Sequence, residues 1–164
     1  MADQNEQNAT QQGEAPVFRL QKLYLKDLSF ENPNAPEIFL EQQQSPKVEL
    51  NLGLKNKKME NDHWEVCLTV TAKVTNGMEG KTMFIVEVEH AGVFLLKNIP
   101  DEHLHMVLAV DCPTLLFPFT RQIMSHVSVD GGFAPFLMEP VNFMALYQNA
   151  RKKQQQQQAA QDQQ

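Results

Sequence analysis

Residues 62–75 read DHWEVCLTVTAKVT, and six of them (Trp64, Val66, Leu68, Val70, Ala72 and Val74) occupy alternate positions. Successive side chains of a β-strand point to opposite faces, so this run predicts a strand with an apolar inner face and a polar outer one. The flanking segments carry the same period. Residues 47–55, KVELNLGLK, place Val48, Leu50, Leu52 and Leu54 inward. Residues 81–90, KTMFIVEVEH, place Phe84, Val86 and Val88 inward and Met83, Ile85, Glu87 and Glu89 outward. NGMEG (76–80) between the last two runs is a turn. Ala91-Gly92 allow a bend, after which VFLLKNI finishes the sheet.

Farther upstream, residues 17–31, VFRLQKLYLKDLSFE, alternate imperfectly. Phe18, Leu20, Tyr24, Leu28 and Phe30 fall on one face, and Arg19, Gln21, Asp27, Ser29 and Glu31 on the other. Leu23 and Leu25 break the pattern, which points to a bulge or to burial on both sides. The prolines and asparagines of ENPNAPEIF then open a connection that runs through Gln44. It is too long for a hairpin and is expected to cross the end of the sheet.

After Pro100 the period lengthens. Asp101 can cap a helix, and Leu104, Val107, Leu108 and Leu115 follow helical spacing. Pro113 and Pro118 interrupt it, so a kinked or two-piece helix is expected over about 101–129, stopped by Gly131-Gly132. GFAPFLMEP is an apolar loop, and Pro140 opens a last helix, VNFMALYQNARKK. The layout is α+β: a four-stranded antiparallel sheet with a crossover loop and two helices packed on one face. LLFPF and FMALY carry more apolar surface than one sheet face can cover, which implies self-association, ligand binding or both.

The chain has 164 residues, the size of one domain. Residues 1–15 and 151–164 (RKKQQQQQAAQDQQ) are too polar to offset the entropy of ordering, so both are expected to be disordered tails around a domain at 16–150. Between 16 and 150 there are 11 Lys/Arg and 16 Asp/Glu, a net charge of −5. An acidic surface without a basic stripe excludes nucleic acid as a partner. No apolar run is long enough for a membrane span, and no secretion signal opens the sequence, so a cytoplasmic location is expected.

Little of the sequence points to catalysis. His103 and His105 lie two apart on a helix and do not share a face, which argues against a metal site. Cys112 has His105 two turns before it, but Pro113 spoils the geometry of a thiol–imidazole pair, and neither Cys112 nor Cys67 belongs to a CxxC pair. No phosphate-binding or nucleophile-elbow motif is present. The expectation is a non-enzymatic protein with no cofactor and no metal.

Four segments taken together, LYLKDLSFENPNAP (23–36), EVEHAGVF (87–94), CPTLLFPFTR (112–121) and EPVNFMALY (139–147), resemble the SecB family of bacterial export chaperones. The resemblance spans about residues 17–148. It implies a homotetramer, a dimer of dimers, that holds unfolded secretory precursors without ATP or cofactor and passes them to the SecA motor. It implies SecA contacts at Asp27, Glu31, Ile85 and Glu87, the residues that alternation places on the outer face. It implies a client groove drawing on Phe30, Val48, Leu50, Leu52, Phe119, Phe143, Leu146 and Tyr147. In this sequence Gln44 stands where some members carry a tryptophan, and the C-terminal tail is basic and Gln-rich rather than acidic.

Overall fold

The structure is a computed structural model that describes residues 13–161. Four strands, β1 (Val17–Glu31), β2 (Lys47–Lys58), β3 (His63–Thr75) and β4 (Thr82–Lys97), form one antiparallel sheet in the order β1-β4-β3-β2. β1 and β2 are therefore at opposite edges, and residues 32–46 cross the end of the sheet, as the length of that connection predicts. Within this crossover a short 3-10 turn, Glu37–Phe39, buries Ile38.

The β3–β4 register pairs Val66 with Gly92, Val70 with Val88, Ala72 with Val86 and Val74 with Phe84, so the two apolar rows share the inner face. β4 runs through Ala91-Gly92 as a single strand. Gly92 has a different role. A Cβ there would lie 2.9–3.0 Å from Phe94, Leu116 and Leu20, so the missing side chain lets a helix close onto the sheet.

β1 corrects one sequence assignment. Its register slips between Leu20 and Lys22 and again between Leu25 and Asp27. Each slip inserts one residue and reverses the alternation, the effect of a β-bulge. Between the bulges Leu23 and Leu25 oppose Gly92 and His90 on the inner face. Tyr24 turns outward, opposite Ala91, although unbroken alternation puts it inside. The second bulge restores the parity, so Asp27 and Glu31 face outward as expected.

The inner face is covered by α1 (Asp101–Met106), a wider π-helical turn (Val107–Asp111) and α2 (Cys112–Asp130), which follow end to end. Asp101 lies inside the first turn and Pro100 precedes it, so Asp101 makes no side-chain cap. Pro113 lacks the N–H that would bond Ala109. The π turn, in which the Cys112 N–H reaches back to the Val107 carbonyl, absorbs that loss. Leu108, Cys112, Leu116, Thr120 and Met124 are buried together with Val66, Val70, Val88 and Phe94. The Thr120 hydroxyl donates to the Leu116 carbonyl and so accepts from Nδ1–H of the buried His90 at 2.9 Å, which ties β4 to α2. The helix stops as predicted. Gly132 has φ +91°, and the Phe133 N–H returns to the Ser128 carbonyl.

The last helix, α3 (Phe143–Gln161), starts after Pro140, where Asn142 Oδ1 accepts the Ala145 N–H at 3.0 Å. It also continues through 151–161, correcting the expected disorder there: Arg, Lys, Gln and Ala are good helix formers and extend a helix already nucleated by packing. From Gln148 to Ala160 every side chain is exposed, so this extension buries nothing. The expected N-terminal tail at 1–15 falls largely outside the described residues, as do 162–164. Glu14 is described, and it bridges to Lys97 at 3.3 Å.

Candidate functional site

Two faces have the properties of binding surfaces. The first is the uncovered part of the inner sheet face. Register sets Val48, Leu50 and Leu52 beside Val74, Ala72 and Val70, so all six share the helix-facing side. The helices cover β3 and β4 and approach the edge strand β2 only toward its C-terminal end, where Asn56 borders a recess with Tyr147 and Arg151, leaving Val48 43 % and Leu50 40 % exposed, with Leu52 half-buried. Residues 133–141, which link α2 to α3, run beside them. Between this segment and the sheet lie two apolar clefts, of about 330 and about 500 Å3, which share Val48, Phe136 and Leu137.

The floor of the smaller cleft is aromatic. Phe84 of β4 stacks on Phe30 of β1 at 5.5 Å, meets Phe133 at 5.0 Å and Phe136 edge-on at 6.0 Å. Phe39 of the crossover loop continues the pile onto Phe133 at 5.1 Å. The tight helix end makes this possible, because a Cβ on Gly131 would collide with the Phe30 ring.

Of the groove residues expected from the sequence, Val48 and Leu50 line these clefts; Phe30 lines neither and stands behind Phe84, and Leu52 lies farther along the same row of β2, outside both. Phe119 and Leu146 are exposed on α2 and α3, outside them. Tyr147 borders a separate polar recess with Glu102, His105 and Arg151, whose guanidinium stacks over its ring at 5.7 Å. Phe143 is 6 % exposed and packs edge-on against Phe117, inside the core and not in a groove. Sequence reasoning missed Phe39, Phe133, Phe136 and Leu137. The signal was the apolar loop GFAPFLMEP, since an oily segment between helices is either buried or used.

The second face is the outer side of the sheet. Glu31 opposes Ile85, Ser29 opposes Glu87 and Asp27 opposes Glu89. One edge strand and its neighbour thus line up four carboxylates on the face that carries the half-buried Ile85, with Glu31 and Glu87 nearest to it. The Thr71 hydroxyl donates to Glu87 at 3.0 Å and the Cys67 thiol to Glu89 at 3.3 Å. These neutral donors orient the carboxylates without cancelling their charge. Among the described residues none of the four makes an ion pair, whereas nearby Glu65 is saturated by Lys26 at 3.1 Å and by the Tyr24 hydroxyl. Those two donors hold the Glu65 carboxyl below its ordinary range, while burial and Glu65 push Tyr24 up to about 12.

The remaining reactive groups are placed for structure. Burial pushes the Cys67 thiol up to about 11 and that of Cys112 up to about 12, opposite to what a nucleophile requires. Among the described residues no three His, Cys, Asp or Glu side chains converge as metal ligands, and no helix is long and apolar enough to cross a membrane.

Comparison with known proteins agrees with this layout. Residues 11–156 match the family model for the preprotein translocase subunit SecB. The chain is 65 % identical to the protein-export protein SecB of Desulfotalea psychrophila, with 94 % of this chain and 96 % of that one aligned. It is 50 % identical to the SecB of Magnetococcus marinus over the same shares. A SecB-like chaperone of Mycobacterium tuberculosis, solved with a ChAD peptide of the HigA1 antitoxin, has the same fold, with a TM-score of 0.64 at 14 % identity over 76 % of this chain and 91 % of that one. With its crossover sheet, open apolar clefts and acidic outer face, the chain belongs to the SecB family of protein-export chaperones.

Proposed function

We propose that the protein is a cytoplasmic, ATP-independent holdase that binds unfolded secretory precursors in extended form and delivers them to SecA. The observation that carries this reading is the pair of apolar clefts beside β2, open to solvent and lined almost wholly by aliphatic and aromatic side chains. Such a surface gains affinity from apolar area, at about 25 cal/mol per Å2, and reads no particular sequence. Val48 and Leu50 supply part of it, Phe30 backs it through Phe84 and Leu52 continues its row; the exposed Phe119 and Leu146, and Tyr147 at its separate recess, are further contacts for a client long enough to reach them. Binding and release of this kind need neither catalysis nor cofactor.

The outer carboxylates are a second, separate site. Asp27, Glu31 and Glu87 on the face that carries Ile85 offer an apolar anchor inside a negative field, suited to a basic segment of SecA. Because the two sites lie on opposite sheet faces, a client and SecA can be held together. Assembly into a dimer of dimers is supported by the apolar side chains left open along the free edge of β1, Phe18, Leu25 and Leu28, and by Leu115 on α2. The test is to mix the full-length protein with a denatured precursor and follow light scattering. Suppression of aggregation at one tetramer per client is expected without nucleotide; aggregation at the rate of the client alone would refute the holdase reading.

A further inference from the structure

The crossover loop that carries Phe39 and ends at Pro46 is fastened to the β3–β4 hairpin by one buried side chain. Asn76, 6 % exposed, closes that hairpin with its own N–H on the Lys81 carbonyl at 3.0 Å. Its side-chain Nδ2 donates to the Gln42 carbonyl at 3.1 Å, and its Oδ1 accepts the Gln44 N–H at 2.8 Å. A neighbouring strand would present the same donor and acceptor, so the amide stands in for backbone at a point where the sheet has ended. Two further ties lie on either side. Lys81 Nζ meets Glu41 Oε1 at 2.5 Å, and Asn34 Nδ2 donates to the Thr82 carbonyl at 2.9 Å. The hairpin they fasten to also contributes Val74, Met83 and Phe84 to the smaller cleft, while the loop contributes Pro46 and stacks Phe39 on Phe133.

We propose that Asn76 is a positioning residue for client binding: it fixes the crossover loop as a preformed wall of the aromatic cleft. The inference rests on the holdase reading above. A wall ordered in advance loses no loop entropy when a client enters, and that difference reaches affinity directly. Cutting the latch therefore weakens client binding without touching a residue that contacts the client.

The test uses the full-length protein and a reduced, carboxymethylated and hence permanently unfolded polypeptide as probe. In Asn76→Ala, hydrogen exchange at 41–46 should quicken and client affinity should fall roughly five- to tenfold, mainly through faster dissociation, while SecA affinity and oligomeric state stay unchanged. Asn76→Asp keeps the acceptor for Gln44 but turns a carboxylate oxygen toward the Gln42 carbonyl at a nearly buried position, and should loosen the loop and weaken client binding at least as much as Asn76→Ala. If exchange quickens and client affinity does not change, the inference is wrong although the holdase reading stands. If wild type itself fails to bind the probe, the holdase reading fails first. Should Asn76→Ala not fold, Asn76→Ser, whose shorter side chain cannot span both Gln42 and Gln44, is read the same way: quicker exchange at the loop with weaker client binding is expected, and quicker exchange with unchanged client affinity overturns the proposal.

Discussion

β3 and β2 are adjacent strands with equally clean alternation and opposite fates. Every inward residue of β3 from Val66 to Val74 is buried, whereas Val48, Leu50 and Leu54 of β2 remain more than one-third exposed. Side-chain period decides which face a residue occupies. Whether that face is covered depends on how far the helices reach, and here they cover β3 along its length but β2 only toward its C-terminal end. The shortfall leaves the clefts open, so the same pattern makes a core on one strand and an open apolar face on the next.

The comparison can be broken most severely at the centre. Phe94→Ala removes a fully buried ring and should cost about 3–5 kcal/mol of stability, seen as a large fall in the urea midpoint. Leu50→Ala, on the same sheet face, should cost less than about 1 kcal/mol. Its deficit belongs elsewhere: Val48→Ser with Leu50→Ser should weaken binding of an unfolded client about tenfold while the fold persists. Equal destabilisation by Phe94→Ala and Leu50→Ala would mean that β2 is covered after all.

The outer face sharpens the contrast between packing and charge. Asp27→Lys combined with Glu87→Lys should lower SecA affinity at least about tenfold at low salt, with a smaller gap as salt rises, and leave client binding intact. Titration by calorimetry at two ionic strengths checks it.

The smallest effect is expected at His90. Burial lowers its pKa below the usual 6.5, so the unfolded chain takes up a proton that the folded chain resists. The stability that His90 contributes is then complete above pH 6.5 and is lost as pH falls from there toward its lower folded value. Leu25, Leu68 and Thr120 face the ring and supply no charge to offset this. Urea unfolding at pH 7.5 and 5.5 should show a steeper acid loss in wild type than in His90→Gln.

Much of this was legible in the sequence. Strand period, the crossover, the helix stop at Gly131-Gly132 and the outward set Asp27, Glu31, Ile85 and Glu87 all follow from local rules and recur in the structure. Tyr24 was misplaced because two bulges reverse parity over a few residues, and only the β4 partner reveals where each extra residue sits. Phe143 belongs to the groove only by the family resemblance, and the spacing of the last helix does not say which of its stripes meets the core. The aromatic cleft escaped because its walls come from segments far apart in the chain, Phe30, Phe39, Phe84 and Phe133, joined only by folding. The helical run over 151–161 was hidden by polarity, which speaks to burial and not to backbone conformation.

The free edge of β2 has a last consequence. Along one side its amides and carbonyls lack a strand partner, which is a template for runaway cross-β growth in any protein that handles sticky chains. Four of its twelve residues are lysines, Lys47, Lys55, Lys57 and Lys58. Like charges keep two such rims from zipping together. The same charges disfavour pairing of this edge with any other basic strand, so the open side of the sheet is guarded by its own sequence.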